Sequence, residues 1–368
     1  MGLSNLFGDI YRNKTVLVTG HTGFKGSWLA MWLNDLGAKV IGLSLGPVSE
    51  PSHYDLAHFD IISVLGDIRD PKSIAEVIDT YNPQIIFHLA AQSLVRYSYK
   101  NPVDTFETNI MGTINVFEAC RKSKSVNAII NITSDKCYEN REWVWGYREK
   151  DRMGGFDPYS CSKGCAELIT SSYRNSFFNL SGYGATHNIL LASARAGNII
   201  GGGDWGDDRL LPDIMRAVKR NAEVIIRNPT ASRPWQHVLE PLSGYLILGQ
   251  RLLEGRTEYA DGWNFGPNIE CTTNVENLVK SCKKIWNRIQ YKTVTDKSNP
   301  HEAGQLKLDC SKAHSLLKWK PVWDLQRTLE MTLNWYRDYY EKNKINSIAN
   351  LRAYYDDAKS QELHWTLQ

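Results

Sequence analysis

Residues 14–37 constrain this chain more than any other stretch. KTVLVTG is a short, β-branched apolar run, as in a buried strand, and it ends on Gly20. HTGFKG follows, then SWLAMWLNDLG, where Trp28, Leu29, Trp32, Leu33 and Leu36 recur at helical spacing before Gly37 stops the helix. AKVIGLSL then resumes as a strand, which completes one βαβ unit. Glycine is needed where a chain turns tightly and where backbone approaches a pyrophosphate. The helix N-terminus aims free N–H groups and its positive dipole end at such an anion. The triplet therefore predicts dinucleotide binding at Gly20, Thr22, Gly23, Phe24, Lys25 and Gly26. The bland alternative is an ordinary glycine-rich βα turn.

The rhythm repeats. IISVLGDIRD, QIIFHLAA, VNAIINITSD and HNILLASARAGNIIG read as strands. Residues 70–82 read as a helix capped by Asp70, and 102–122 and 158–178 read as further helices. Alternating strands and helices predict an α/β fold, a Rossmann-like doubly wound parallel sheet over residues 1–197. After the glycine loop at 201–203 the pattern mixes short helices and strands such as VIIR at 224–227. This predicts a smaller mixed α/β lobe over 198–340, with a segment near 236–265 returning to the sheet. Residues 341–368 show no strong pattern and read as a C-terminal tail.

Length and composition narrow the class. The chain has 368 residues, too many for one ordinary core. Forty-three basic residues against 40 acidic ones give a net charge of +3, which argues against broad nucleic-acid binding. The seven cysteines are scattered and odd in number, as in a reducing cytoplasm rather than a disulfide scaffold. Cys161 and Cys165 are four apart without histidines in register, so no metal site is expected. MGLSNLFGDIYRNK lacks a basic start followed by an apolar run, so no secretory signal is expected, and no eighteen-residue apolar stretch predicts a membrane span. Twelve tryptophans are many for this length; flat rings can stack on sugars or bases, or simply fill a core.

Tyr159 and Lys163 form Y-x-x-x-K at the start of a helix, where a spacing of four puts both side chains on one face. A tyrosine has a pKa near 10 and needs a drop of roughly three units to act as a base near neutrality. A nearby ammonium and a cationic cofactor can supply it in a poorly solvated cleft. Asp135 and Lys136 end a central strand, where ionisable groups are costly to bury without purpose. A structural ion pair is the bland reading of the two.

These motifs resemble the extended branch of the short-chain dehydrogenase/reductase superfamily, over about residues 14–340. Within it, Asp135-Lys136 in place of an Asp-Glu pair, together with TGHTGFKGSWL, DPYSCSKGCAEL and RAGNIIGGGDW, is similar to the subgroup whose substrate is CDP-D-glucose. The resemblance implies a 4,6-dehydration that gives a 4-keto-6-deoxy sugar, on a route to dideoxyhexoses of a bacterial surface polysaccharide. It implies NAD as cofactor, with NADP left open because the second strand ends in GLSL without an acidic residue; His21 and Lys25 could face a 2′-phosphate. Asp67 and Ile68 are then expected at the adenine, and Leu89, Ala90 and Ala91 beside the cofactor. Ser134 would bond the reacting hydroxyl. Lys136 would be the C5 base, as a neutral amine, and Asp135 the acid at the C6 hydroxyl, although the two roles could be exchanged. Asn198, Arg209 and Arg233 are expected at the diphosphate, Trp205 at the base or sugar, and Lys307 as a weaker contact. Trp143 and Trp145 would border the sugar. The resemblance also implies a homodimer through helices 102–122 and 159–178, or a homotetramer. A 4-epimerase and a non-catalytic dinucleotide sensor are the other readings.

Overall fold

Seven strands form one all-parallel sheet: β1 (Thr15–Thr19), β2 (Lys39–Ser44), β3 (Ile62–Leu65), β4 (Ile85–His88), β5 (Ala128–Ile132), β6 (Leu190–Arg195) and β7 (Gly262–Asn264). Their order is β7-β6-β5-β4-β1-β2-β3. The computed structural model describes residues 6–294 and 305–367. The first five residues of the N-terminal reading lie outside the described ones. The order reverses between β1 and β4, which opens a crevice at the carboxyl ends of the strands.

The strands are short apolar runs because both sheet faces are covered. Val16 and Val18 face a core with Trp28, Trp32 and Leu246, while Leu17 and Ile41 face one with Ile74, Val116 and Phe117. The covering helices are α1 (Phe24–Asp35), α2 (Pro71–Tyr81), α3 (Gly112–Lys122), α4 (Pro158–Ser176) and α6 (Leu239–Leu253), while α5 (Leu210–Lys219) belongs to the second lobe. Asp70 caps α2 as expected, accepting from the Lys72 amide. Asp157 and Ser160 form a reciprocal capping box that fixes the start of α4. Helix α6 and β7 are the returning segment: Leu242, Tyr245 and Leu246 join the core under the sheet.

The second lobe has its own core of Trp205, Ile214, Met215, Leu278 and Trp335, with α5, α7 (Val275–Ile285) and α8 (Leu325–Lys342) around it. The expected strand at 224–227 is Glu223–Ile226, paired in parallel with Gln290–Thr293.

Two expectations change. The helix over 102–122 contains a π-turn at Glu107–Met111, which seats Asn109 in the interior. The expected tail instead carries α9 (Ser347–Ser360). Its Leu351, Tyr354 and Ala358 are buried, and Trp365 stacks on Phe7 with centroids 5.1 Å apart. Only Ile348 and Leu351 in it are large aliphatics, so its pattern is weak; ring packing supplies much of the burial.

Candidate active site

A cavity of about 1070 Å³ opens at the carboxyl ends of the strands. The predicted glycine-turn, strand-end, catalytic and diphosphate residues line it, from Gly20 on the first lobe to Arg233 on the second, whereas His21, Trp143, Trp145 and Lys307 do not. Lys307 instead accepts the Tyr147 amide through its carbonyl, in a bridge beside the cavity.

The glycine turn is built for close approach. Gly20 sits at φ +76°, and a β-carbon there would stand 2.8 Å from the Ala90 nitrogen. A β-carbon on Gly26 would stand 2.1 Å from the Gly20 carbonyl oxygen. Gly23 caps α1 without any side-chain bond, which leaves the first-turn N–H groups to an anion. The Thr19 hydroxyl accepts from the Leu89 and Ala90 amides at 3.1 and 3.2 Å, pinning the next strand end beside the turn. These residues fit a dinucleotide.

At the expected adenine end, the Asp67 carboxylate takes the Arg69 backbone N–H at 2.9 Å and the guanidinium at 2.6 and 2.8 Å. Arg69 holds it below the usual carboxylate range. Arg69 also pairs with Asp104 at 2.6 Å. Ile68 packs its side chain against Gly112. His21 departs from expectation. It is fully buried, its ring lies against Gly42, and Nε2 meets the Ser63 hydroxyl at 2.7 Å. Burial lowers it to about 4, so it offers no charge to a phosphate. Lys25 turns the other way, toward Asp135, Lys163 and Arg209; burial lowers it to about 7.

The candidate reacting groups converge from the exit of β5 and from α4. The Ser134 hydroxyl donates to Asp135 Oδ1 at 2.9 Å and hydrogen-bonds Tyr159. Asp135 is 2% exposed and its Oδ2 has no partner, whereas the Lys136 ammonium is 33% exposed and lies 3.9 Å from Asp135 Oδ1. Burial raises Tyr159 to about 12; Ser134 and Arg209 oppose this, and Asp135 adds to it. Burial also lowers Lys163 to about 8. Among the groups that lower the tyrosine, Ser134 and the Arg209 guanidinium lead, and they do not offset its burial.

On the second lobe, Asn198 is held at φ +48° with its side-chain amide nitrogen buried and unpartnered. Arg209 donates from Nη1 to both Asp204 oxygens at 3.1 Å and from Nη2 to Ser93 at 3.1 Å, bridging the lobes. Arg233 lines the cavity from the short strand Ser232–Pro234. The tryptophans depart from expectation. Trp205 is 6% exposed, edge-on to Trp335 and Tyr336, and gives its indole N–H to Tyr340 at 3.1 Å. It borders the cavity but packs in the second core. Trp143 stacks on Tyr147, Trp145 is 68% exposed, and neither lines the cavity. Sequence reasoning missed Asp204 and Asn109. Asn109 accepts the Gln92 amide at 2.8 Å and donates to Ser162 at 2.8 Å, tying the β4 exit to the catalytic helix.

The sequence model of the GDP-mannose 4,6-dehydratase family matches residues 17–332. The chain belongs to that family. It is accordingly a nucleotide-sugar 4,6-dehydratase, a hydro-lyase. Among relatives, the CDP-glucose 4,6-dehydratase of Salmonella typhimurium strain LT2 is 50% identical over 331 residues, 89% of this chain and 92% of that one. The dTDP-glucose 4,6-dehydratase of Haemophilus influenzae is 24% identical over 349 residues, 87% and 97% of the two chains. An epimerase structure from Methanothermobacter thermautotrophicus superposes with a TM-score of 0.78 at 22% identity, covering 91% and 95%. A dTDP-glucose 4,6-dehydratase from Bacillus anthracis, in complex with NAD, gives 0.72 at 20% identity, covering 90% and 99%. These neighbours share the expected Rossmann-like fold.

Proposed function

We propose that the protein converts CDP-D-glucose to CDP-4-keto-6-deoxy-D-glucose with loss of water, using NAD. The observation that carries this is the strand-end pair: Asp135, buried with one oxygen unpartnered, lies beside Lys136 and accepts from Ser134, which in turn bonds Tyr159. The half-identical Salmonella relative, named for CDP-glucose, supports the substrate.

The dinucleotide is held by Gly20, Gly23, Gly26, Thr22 and the first turn of α1, with Asp67, Ile68 and Leu89–Ala91 along its length. When bound, NAD supplies a reversible hydride sink, taking hydride from C4 and returning it to C6, and its cationic ring favours the phenolate. Tyr159 accepts the proton of the C4 hydroxyl, and Ser134 bonds the same oxygen. The resulting C4 ketone acidifies the C5 hydrogen. Lys136, the more exposed of the two, removes that proton as a neutral amine; Asp135 donates a proton to the departing C6 hydroxyl, which leaves as water. Asn198, Arg209 and Arg233 receive the diphosphate, where guanidinium forks suit phosphate oxygens.

The second reading is a 4-epimerase. CDP-glucose deuterated at C4 separates the two: a dehydratase carries deuterium to C6 of a 4-keto product, whereas an epimerase leaves it at C4.

The protein is further read as a homodimer or homotetramer. Val103, Met111, Leu168 and Phe177 are exposed on or beside the two expected interface helices. Among the described residues all seven cysteines are free and no helix is long and apolar enough to cross a membrane. We place the enzyme in the cytoplasm on the free thiols.

A further inference from the structure

Glu167 lies one turn beyond Lys163 on α4, and both its oxygens are engaged. Oε1 accepts from the Thr133 hydroxyl at 2.5 Å; Oε2 accepts from Ser193 and from Arg195 Nη2, both at 2.7 Å. The two side chains of the ion pair are 3% and 5% exposed. Arg195 Nη1 donates onward to the Tyr138 hydroxyl at 2.6 Å and the Glu149 carbonyl at 3.0 Å, and Tyr138 donates to Asn264 at 2.7 Å. One carboxylate therefore ties α4 to β6 and to the exit of β5, and through Arg195 to β7.

A buried Arg–Glu pair is weak evidence for stability, since apolar replacements often do as well. Its placement here has another consequence. The reacting groups come from two elements, Ser134 from the β5 exit and Tyr159 with Lys163 from α4. Thr133 immediately precedes Ser134, so the Thr133–Glu167 bond fixes the distance between the two sets. A shift of about 1 Å between such groups can cost about a hundredfold in rate. Charge points the same way. Burial works against the ionised Glu167, but Arg195, Thr133 and Ser193 outweigh it and keep it a carboxylate. Lys163 is faced by Cys137, a thiol that burial keeps protonated, by Glu167, whose carboxylate favours the ammonium, and by Lys25 from α1 and His88 from β4.

We propose that Glu167 is a positioning residue of the reaction centre: it clamps the helix carrying Tyr159 and Lys163 to the strand end carrying Ser134, and it sets a carboxylate one helical turn from Lys163. The inference rests on the dehydratase reading of the site.

The test uses the full chain with Glu167→Gln, with Glu167→Gln/Arg195→Gln, and with Thr133→Val. Isotope-edited NMR of ε-labelled lysine, assigned with Lys163→Arg, follows the titration of Lys163. In the parent, burial lowers Lys163 to about 8. In both Glu167 variants it titrates about half a pH unit or more lower. The double variant recovers thermal stability lost by the single one, because no buried guanidinium is left unpaired, yet it does not recover the titration. Thr133→Val leaves the titration in place and lowers kcat about tenfold with KM unchanged. A titration that stays at the parental value in either Glu167 variant, or a parental kcat in Thr133→Val, overturns the proposal. The titration needs no substrate, so it fails independently of the CDP-glucose reading, which turns on the product made by the parent.

Discussion

The carboxylate of Asp135 fills the space that a side chain on Gly197 would need: a β-carbon there would stand 2.0 Å from Asp135 Oδ2. Gly197 follows β6, so the sheet itself sets where the acid sits. Gly197→Ala must displace Asp135 or the β6 exit. Overpacking of this kind costs about 1–3 kcal/mol, and a displaced acid about a hundredfold in kcat. Cofactor affinity should hold, because Gly197 lies beyond the glycine turn. Steady-state rates and NAD titration check this; a parental kcat contradicts the placement of Asp135 as the acid.

Lys136→Ala separates oxidation from elimination. Tyr159 and Ser134 remain, so C4 oxidation proceeds and reduced cofactor accumulates, visible in its near-ultraviolet absorbance. Removing the base slows elimination by about 10²–10⁴. A variant that forms the 4-keto-6-deoxy product at the parental rate assigns the C5 proton to another group.

The ribose end of the cavity favours NAD over NADP. Ser44 ends β2 and is bonded to Thr22 at 2.7 Å, His21 is buried, and Arg69 is already paired with Asp67 and Asp104. Among the described residues, a 2′-phosphate would find no cation there without breaking a pair. Calorimetry of both dinucleotides should show NAD bound roughly tenfold or more tightly. Equal affinities would mean that Arg69 changes partners at low cost.

Glu240 on α6 holds the C-terminal region. Its buried carboxylate accepts the Val322 and Trp323 amides at 2.9 and 2.8 Å and the Tyr354 hydroxyl at 2.8 Å. Burial raises it from 4.5 to about 7. The folded chain then keeps a proton that the unfolded chain has released, so this group's stabilisation is full below about 4.5 and is lost as pH rises through about 7. The loss is about 3 kcal/mol at most. Glu240→Gln cannot titrate: its Tm should decline less than the parent's between pH 5 and 7.5. Parallel curves for the two proteins would remove Glu240 from the account.

The sheet, the glycine turn and the Tyr159–Lys163 face were legible because each is a local pattern: apolar runs, glycines at 20, 23 and 26, and a spacing of four. Most of the cavity lining followed from the same strand ends. What could not be read were contacts between distant segments. Trp205 looked free to stack on a ligand because nothing in GGGDW shows Trp335 and Tyr336 closing over it. His21 looked like a phosphate ligand, but Gly42, on the next strand, leaves room for its ring. The segment after 341 hid α9 because Tyr354 and Trp365 are buried by Trp32 and Phe7, more than 300 residues earlier. Glu167 stood one turn past Lys163 in plain view, yet its importance lies in Thr133, Ser193 and Arg195, which only the fold brings to it.

The central claim is a dehydration of CDP-D-glucose. Incubation of the purified protein and NAD with CDP-, dTDP- and GDP-hexoses, with the 4-keto sugar followed at alkaline pH and the product characterised by NMR, tests it most directly. The account predicts a 4-keto-6-deoxy product from CDP-D-glucose and little from the other two. A 4-keto product from dTDP-glucose alone would contradict the substrate, and a C4 epimer from any of them would contradict the reaction.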